Sequence, residues 1–100
     1  MRFNHGDVIG EIDNLPGCSQ VAVFHSVFVP SGQRGKGLGR VAHAERLVEA
    51  ENLGYDICLC TAQLSNTAQV RILEENKWEL VKSFTSTKTG NLVGIFIKGL

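Results

Sequence analysis

Apolar and polar positions along the chain follow two periods, and the switch between them predicts the elements. Met1 to Asn4 and Val8-Ile9-Gly10-Glu11-Ile12 flank His5-Gly6-Asp7, so two short strands joined by a turn are expected at the start. Asp13-Asn14-Leu15-Pro16-Gly17 carries loop chemistry. Val21 to Val29 is rich in β-branched and aromatic residues and almost continuously apolar, which predicts a central strand covered on both faces and ended by Pro30. From Leu38 the period changes. Val41, Ala42, Leu47 and Val48 recur at helical spacing, while Arg40, Glu45, Arg46, Glu49 and Glu51 fill the other face. Asn52-Leu53-Gly54 is a helix stop, and Tyr55 to Thr61 reads as the next strand.

Strand, helix and strand over this length form a parallel βαβ unit with a right-handed crossover. Ser65 or Asn66 can cap a second helix running to about Asn76, with Ala68, Ile72, Leu73 and Val70 as its apolar contacts. Trp78 to Thr85 and Leu92 to Lys98 flank the turn-rich Lys88-Thr89-Gly90-Asn91, so the chain closes in an antiparallel hairpin. The expected fold class is α/β (α+β): one domain over residues 1–100, a mixed, mostly antiparallel sheet and two helices. No internal repeat, low-complexity tract or linker interrupts it.

Composition narrows the function classes. Apolar residues make up 43% of the chain, charged residues 20%, and the formal net charge is zero. The broad basic surface of a nucleic-acid binder is therefore missing, and no apolar run approaches a membrane span. A cytoplasmic protein with no nucleic-acid or membrane partner is expected. The cysteines, Cys18, Cys58 and Cys60, are odd in number and lack C-x-x-C spacing, which argues against a disulfide framework and a zinc site. Cys58 and Cys60 fall on one face of a strand and read as buried thiols.

The chemistry concentrates in Ser31-Gly32-Gln33-Arg34-Gly35-Lys36-Gly37-Leu38-Gly39-Arg40, between a strand and a helix. Gly35, Gly37 and Gly39 let the backbone approach a ligand closely, and the helix N-terminus that follows offers N–H donors and the positive end of a dipole. Arg34, Lys36 and Arg40 add positive charge, so the stretch is suited to a phosphate or pyrophosphate. It is not a P-loop, because Leu38 and Gly39 stand where lysine and serine or threonine are needed; nor does it spell G-x-G-x-x-G, since Arg40 occupies the third glycine position.

Taken with Val27-Phe28-Val29-Pro30 before it and Asn66 to Trp78 after it, this stretch resembles the GNAT superfamily of N-acetyltransferases. Arg34, Gly37 and Gly39 satisfy that family's R/Q-x-x-G-x-G/A signature, and the match covers roughly Val21 to Leu100. The resemblance implies a GNAT-like sheet splayed between the strand ending at Val29 and the strand at Ile57 to Thr61, with acetyl-CoA as co-substrate in the opening. It implies that backbone amides from Arg34 through Gly35, Lys36, Gly37, Leu38 and Gly39 to Arg40 hold the pyrophosphate. Val27, Phe28 and Val29 would bond the pantetheine arm, a backbone N–H near Val27 would stabilise the developing oxyanion, and Asn66 would contact the cofactor. The implied activity is transfer of the acetyl group to a primary amine of a protein, peptide or small molecule.

By the same resemblance His25 falls at or next to the position of a common glutamate base, and its ordinary pKa near 6.5 suits a proton acceptor. A structural histidine, with water as the base, is the alternative. His43 and His5 read as packing or solvated residues. The family's usual acid, a tyrosine seven residues after the asparagine, is here Leu73, and its closing glycine and phenylalanine are Lys77 and Trp78. Ser65, Thr61, Cys60 or a water held by Asn66 is left to protonate the thiolate, or it departs unaided. A non-catalytic CoA-binding or regulatory module is therefore the competing function. The family's N-terminal strand and two helices are mostly lacking, so a homodimer or a macromolecular substrate is expected to complete the groove.

Overall fold

The computed structural model describes residues 1–28, 32, 35 and 37–100, and of residues 26–28 the backbone alone. In chain order the elements are β1 (Arg2–His5), β2 (Val8–Leu15), β3 (Cys18–Phe28), α1 (Leu38–Asn52), β4 (Ile57–Gln63), α2 (Thr67–Glu75), β5 (Glu79–Thr85) and β6 (Leu92–Gly99). The strands form one sheet in the order β1-β2-β3-β4-β6-β5. Every neighbouring pair is antiparallel except β3 and β4, which run parallel and are joined through α1. The expected mixed sheet, parallel βαβ unit and closing hairpin are all present.

The loop expected over Asp13 to Gly17 is not. β2 continues through Leu15 and β3 begins at Cys18, so Pro16 and Gly17 alone turn the chain. Two polar residues are held in the strand by partners far away in sequence: the Asp13 carboxylate meets the His25 ring, and Asn14 Oδ1 accepts from the Tyr55 hydroxyl.

Strand alternation puts Val8, Ile12, Ala22, Phe24, Cys58, Cys60, Ala62 and Phe96 on one face, and all are buried. Both helices pack there, adding Ala42, Ala50 and Leu73 to the core. The opposite face is uncovered by either helix: Val21, Val23, Leu59, Ile95 and Ile97 are half-buried, and Ile57 and Phe84 are exposed. The covering expected on both faces of β3 fails for this reason.

α1 has the predicted bounds but a different buried face. Val41 and Val48 are 47% and 58% exposed, whereas Ala42, His43, Arg46 and Ala50 face the sheet. Alanines four residues before and after Arg46 bring the helix close enough for the arginine to lie flat against the sheet. α2 starts as expected, with Asn66 Oδ1 accepting from Gln69 N–H at 3.2 Å. It ends with Lys77 in the left-handed region, φ 66, so that Trp78 N–H reaches Leu73 O at 3.0 Å and Lys77 N–H reaches Glu74 O at 3.1 Å. This reversal delivers Trp78 into the core, where its indole N–H donates to His43 Nε2 at 2.9 Å.

Candidate functional site

The parallel ladder is short. β3 and β4 pair at Val21 with Ile57, Ala22 with Cys58 and Val23 with Leu59, and no pairing beyond these is present among the described residues. Yet β3 runs on to Phe28 and β4 to Gln63. The two strands therefore separate, and β3 turns one backbone edge toward the gap while its other edge stays bonded to β2 as far as Phe28 opposite Ile9. The register explains the divergence. β2 takes two steps from Ile9 to Glu11 while β3 takes three from Phe28 to His25, so β3 carries a bulge at Ser26 and Val27. An extra residue bends its strand and sharpens the twist.

The N-terminus of α1 opens onto the same gap. Gly37 is its N-cap at φ 75; no side chain caps the helix, and its first turn holds no acidic residue. Among the described residues, α1 thus brings neither a capping side chain nor a carboxylate of its own to its first-turn N–H groups and the positive end of its dipole. α2 differs, since Asn66 caps it. The Arg40 side chain, expected to add charge at this end, instead grips Glu75 of α2 through Nε at 2.8 Å and Nη2 at 2.9 Å.

A groove of about 820 Å³ joins the strand gap to this helix end. Of the residues expected to bind cofactor, Gly35, Gly37, Leu38, Gly39, Arg40 and Asn66 line it. Val27 and Phe28 supply backbone in the bulged part of β3. Val29, Arg34 and Lys36 lie outside the described residues. His25 lines the groove; Ser65 is exposed and outside the described lining. Leu73 is fully buried and also outside that lining, so the slot of the usual acid is a core position here.

His25 is paired rather than isolated: its Nε2 stands 2.5 Å from Asp13 Oδ2. The hydrogen bond from His25, helped by the N-terminal amine, holds the Asp13 carboxyl below its ordinary value. Four buried groups in or beside the groove are shifted mainly by burial. Burial pushes the Cys58 and Cys60 thiols up to about 11 and 12, so neither is an activated nucleophile. It pushes His43 down to about 4, leaving a neutral ring whose Nε2 accepts from Trp78. Arg46, also lining the groove, is lowered to about 10 and remains a cation near neutral pH.

Arg46, expected on the solvent face of α1, is buried instead, whereas His43 takes the packing role, against Phe24 and Trp78. One signal was available: alanines at spacing four around Arg46, with a glycine, Gly10, on the strand it covers. A Cβ built on Gly10 would stand only 3.1 Å from the guanidinium carbon.

Known structures share this architecture. yncA from Salmonella typhimurium, solved with its cofactor acetyl-CoA, superposes with a TM-score of 0.80 at 19% identity over 93% of this chain and 57% of its own. An acetyltransferase of the GNAT family from Streptococcus pneumoniae gives 0.76 at 16% identity, over 93% of this chain and 57% of its own. The fold is that of the GNAT acetyltransferases. The ribosomal-protein-S18-alanine N-acetyltransferase of Escherichia coli has the same GNAT fold, with a TM-score of 0.79 at 16% identity over 97% of this chain and 64% of its own. The chain thus spans about three fifths of the length of these GNAT structures. No protein-family model matches the sequence, and no curated protein is significantly similar to it. No helix among the described residues is long and apolar enough to cross a membrane.

Proposed function

We propose that this chain is a cytoplasmic N-acetyltransferase that carries the acetyl group of acetyl-CoA to a primary amine of a protein, peptide or small molecule. The observation that carries this reading is the early end of the β3–β4 ladder beside an uncapped helix N-terminus. A gap between parallel strands accepts an extended amide-bearing arm as an added strand, and the helix end accepts its diphosphate. In this reading the amides from Arg34 to Arg40 hold the pyrophosphate, and the backbone from Val27 to Val29 bonds the arm.

The reaction is direct. The amine nitrogen attacks the thioester carbonyl, Val27 N–H stabilises the oxyanion, and the C–N bond forms as the C–S bond breaks and CoA leaves as thiolate. The raised thiol pKa values at Cys58 and Cys60 favour this route over an acyl-cysteine intermediate. His25 takes the proton from the amine. Asp13, with Oδ2 at 2.5 Å from Nε2, orients the ring for this role. With Leu73 in the core, the thiolate leaves unaided or takes a proton from water held near Asn66. The uncovered sheet face around Ile57 and Phe84 supports a homodimer or a macromolecular acceptor.

Buried Leu73 favours one second reading, a CoA-binding module without turnover. Mass spectrometry after incubation with labelled acetyl-CoA and an amine panel separates them, together with a thiol-release assay. Amine-dependent release that His25→Ala abolishes at unchanged CoA affinity supports the enzyme; CoA binding without release supports the module. Tighter binding of ATP or NAD than of acetyl-CoA contradicts both.

A further inference from the structure

Beneath the β3 bulge lies a charge that stability alone does not explain. Arg46 is 3% exposed, and no carboxylate among the described residues comes within ion-pair distance of it. Its Nη2 donates to two main-chain carbonyls, those of Glu11 and His25, the latter at 2.8 Å. These residues are register partners on β2 and β3, immediately before the point where the register slips. In a regular antiparallel ladder such carbonyls bond within the sheet. Here both reach a donor from the helix layer. The guanidinium carbon lies 4.4 Å from the Phe24 ring centre, Gly10 leaves room for it, and the buried Nε has no partner among the described residues. A buried cation with one unpaired nitrogen is a poor stabilising device, because an apolar side chain of similar volume removes the desolvation cost. What it does supply is a rigid tie across the two strands, directly before Ser26 and Val27.

We infer that Arg46 is a positioning residue: its clamp on the Glu11 and His25 carbonyls fixes the β3 bulge and so aims the Val27 N–H at the thioester oxygen. This rests on the reading that the β3–β4 gap holds acetyl-CoA. The clamp acts on the acyl end of the groove and leaves the pyrophosphate end at the α1 N-terminus untouched.

The test uses the full chain with Arg46→Met and Arg46→Lys. In Arg46→Met, Glu11 and His25 lose their shared donor while the helix keeps an apolar side chain of comparable length. Expected is a folded protein by circular dichroism, CoA affinity within about threefold of wild type, acetyl-CoA KM little changed, and kcat lower by about 100-fold, the scale of one misplaced oxyanion donor. The amide resonances of Ser26 and Val27 should move. Arg46→Lys, whose ammonium also donates to carbonyls, should restore part of kcat and return those resonances toward their wild-type positions. Unmoved Ser26 and Val27 amides in folded Arg46→Met overturn the clamp, and so do moved amides with wild-type kcat. A wild-type protein that binds no acetyl-CoA overturns the functional reading instead, while the amide shifts still report on the clamp.

Discussion

Valine in place of Gly37 separates a ligand-binding helix end from a mere turn. Gly37 sits at φ 75, and a Cβ built on it meets no atom within 4 Å. The added Cβ therefore meets none of the described residues beyond its chain neighbours, and the main cost is backbone strain, about 1–2 kcal/mol for an L-residue in the left-handed region. A domain with roughly 5–15 kcal/mol of stability survives that, melting about 5–15 °C lower. A diphosphate held as proposed would be hit harder, because the new methyls would block the close approach of its oxygens to the amides. Losing two charge-assisted hydrogen bonds at about 1.5–3 kcal/mol each weakens CoA binding by about 10² to 10⁴-fold. Gly54→Val is the matched control: Gly54 lies past the end of α1, at φ 91, with the same open space and no place in the groove lining. Calorimetry with CoA at a temperature where both variants are folded should show the loss in Gly37→Val alone. A Gly37→Val affinity within threefold of wild type, or an equal loss in Gly54→Val, refutes the assignment.

Three further outcomes follow from the packing. Lys77→Gly should stabilise the fold by about 1 kcal/mol in urea unfolding, since φ 66 at the end of α2 strains lysine and suits glycine. Leu73→Ala should cost about 2–5 kcal/mol in the same assay, as expected for a fully buried leucine. Burial holds His43 at about 4, below its ordinary 6.5, so the unfolded chain takes up the proton first as pH falls. The stabilisation from the neutral ring is complete above about pH 6.5 and is lost as pH drops toward 4, by up to about 3 kcal/mol. His43→Gln keeps an acceptor for Trp78 and should flatten that slope between pH 7 and 5.

The sequence was most legible where local chemistry decides structure. α1 starts after Gly37 and stops at Asn52 because glycine and the Asn-Leu-Gly stop act within a turn or so, and Asn66 capped α2 as its type and place required. Cys58 and Cys60 share a buried strand face, as period two dictates. What failed depended on contacts distant in sequence. Asp13 and Asn14 resemble loop residues until the His25 and Tyr55 side chains reach them, and Arg46 resembles a surface residue until Glu11 and His25, 35 and 21 positions away, present carbonyls to it. The charge on Arg40 was visible, but its capture by Glu75 was not, because helix-to-helix pairing follows from the angle at which α2 packs. The glycine loop carries the anion-site expectation in its residue types alone, and of its charges Arg34 and Lys36 fall outside the described residues.

Hydrogen–deuterium exchange with and without acetyl-CoA tests the central claim, that the gap opened beyond Val23 and Leu59 receives the co-substrate. Binding there as an added strand should slow exchange along β3 from His25 to Phe28 and in the first turn of α1 from Leu38 to Arg40, leaving the β5–β6 hairpin unchanged. Unaltered exchange in both segments at saturating acetyl-CoA would contradict it.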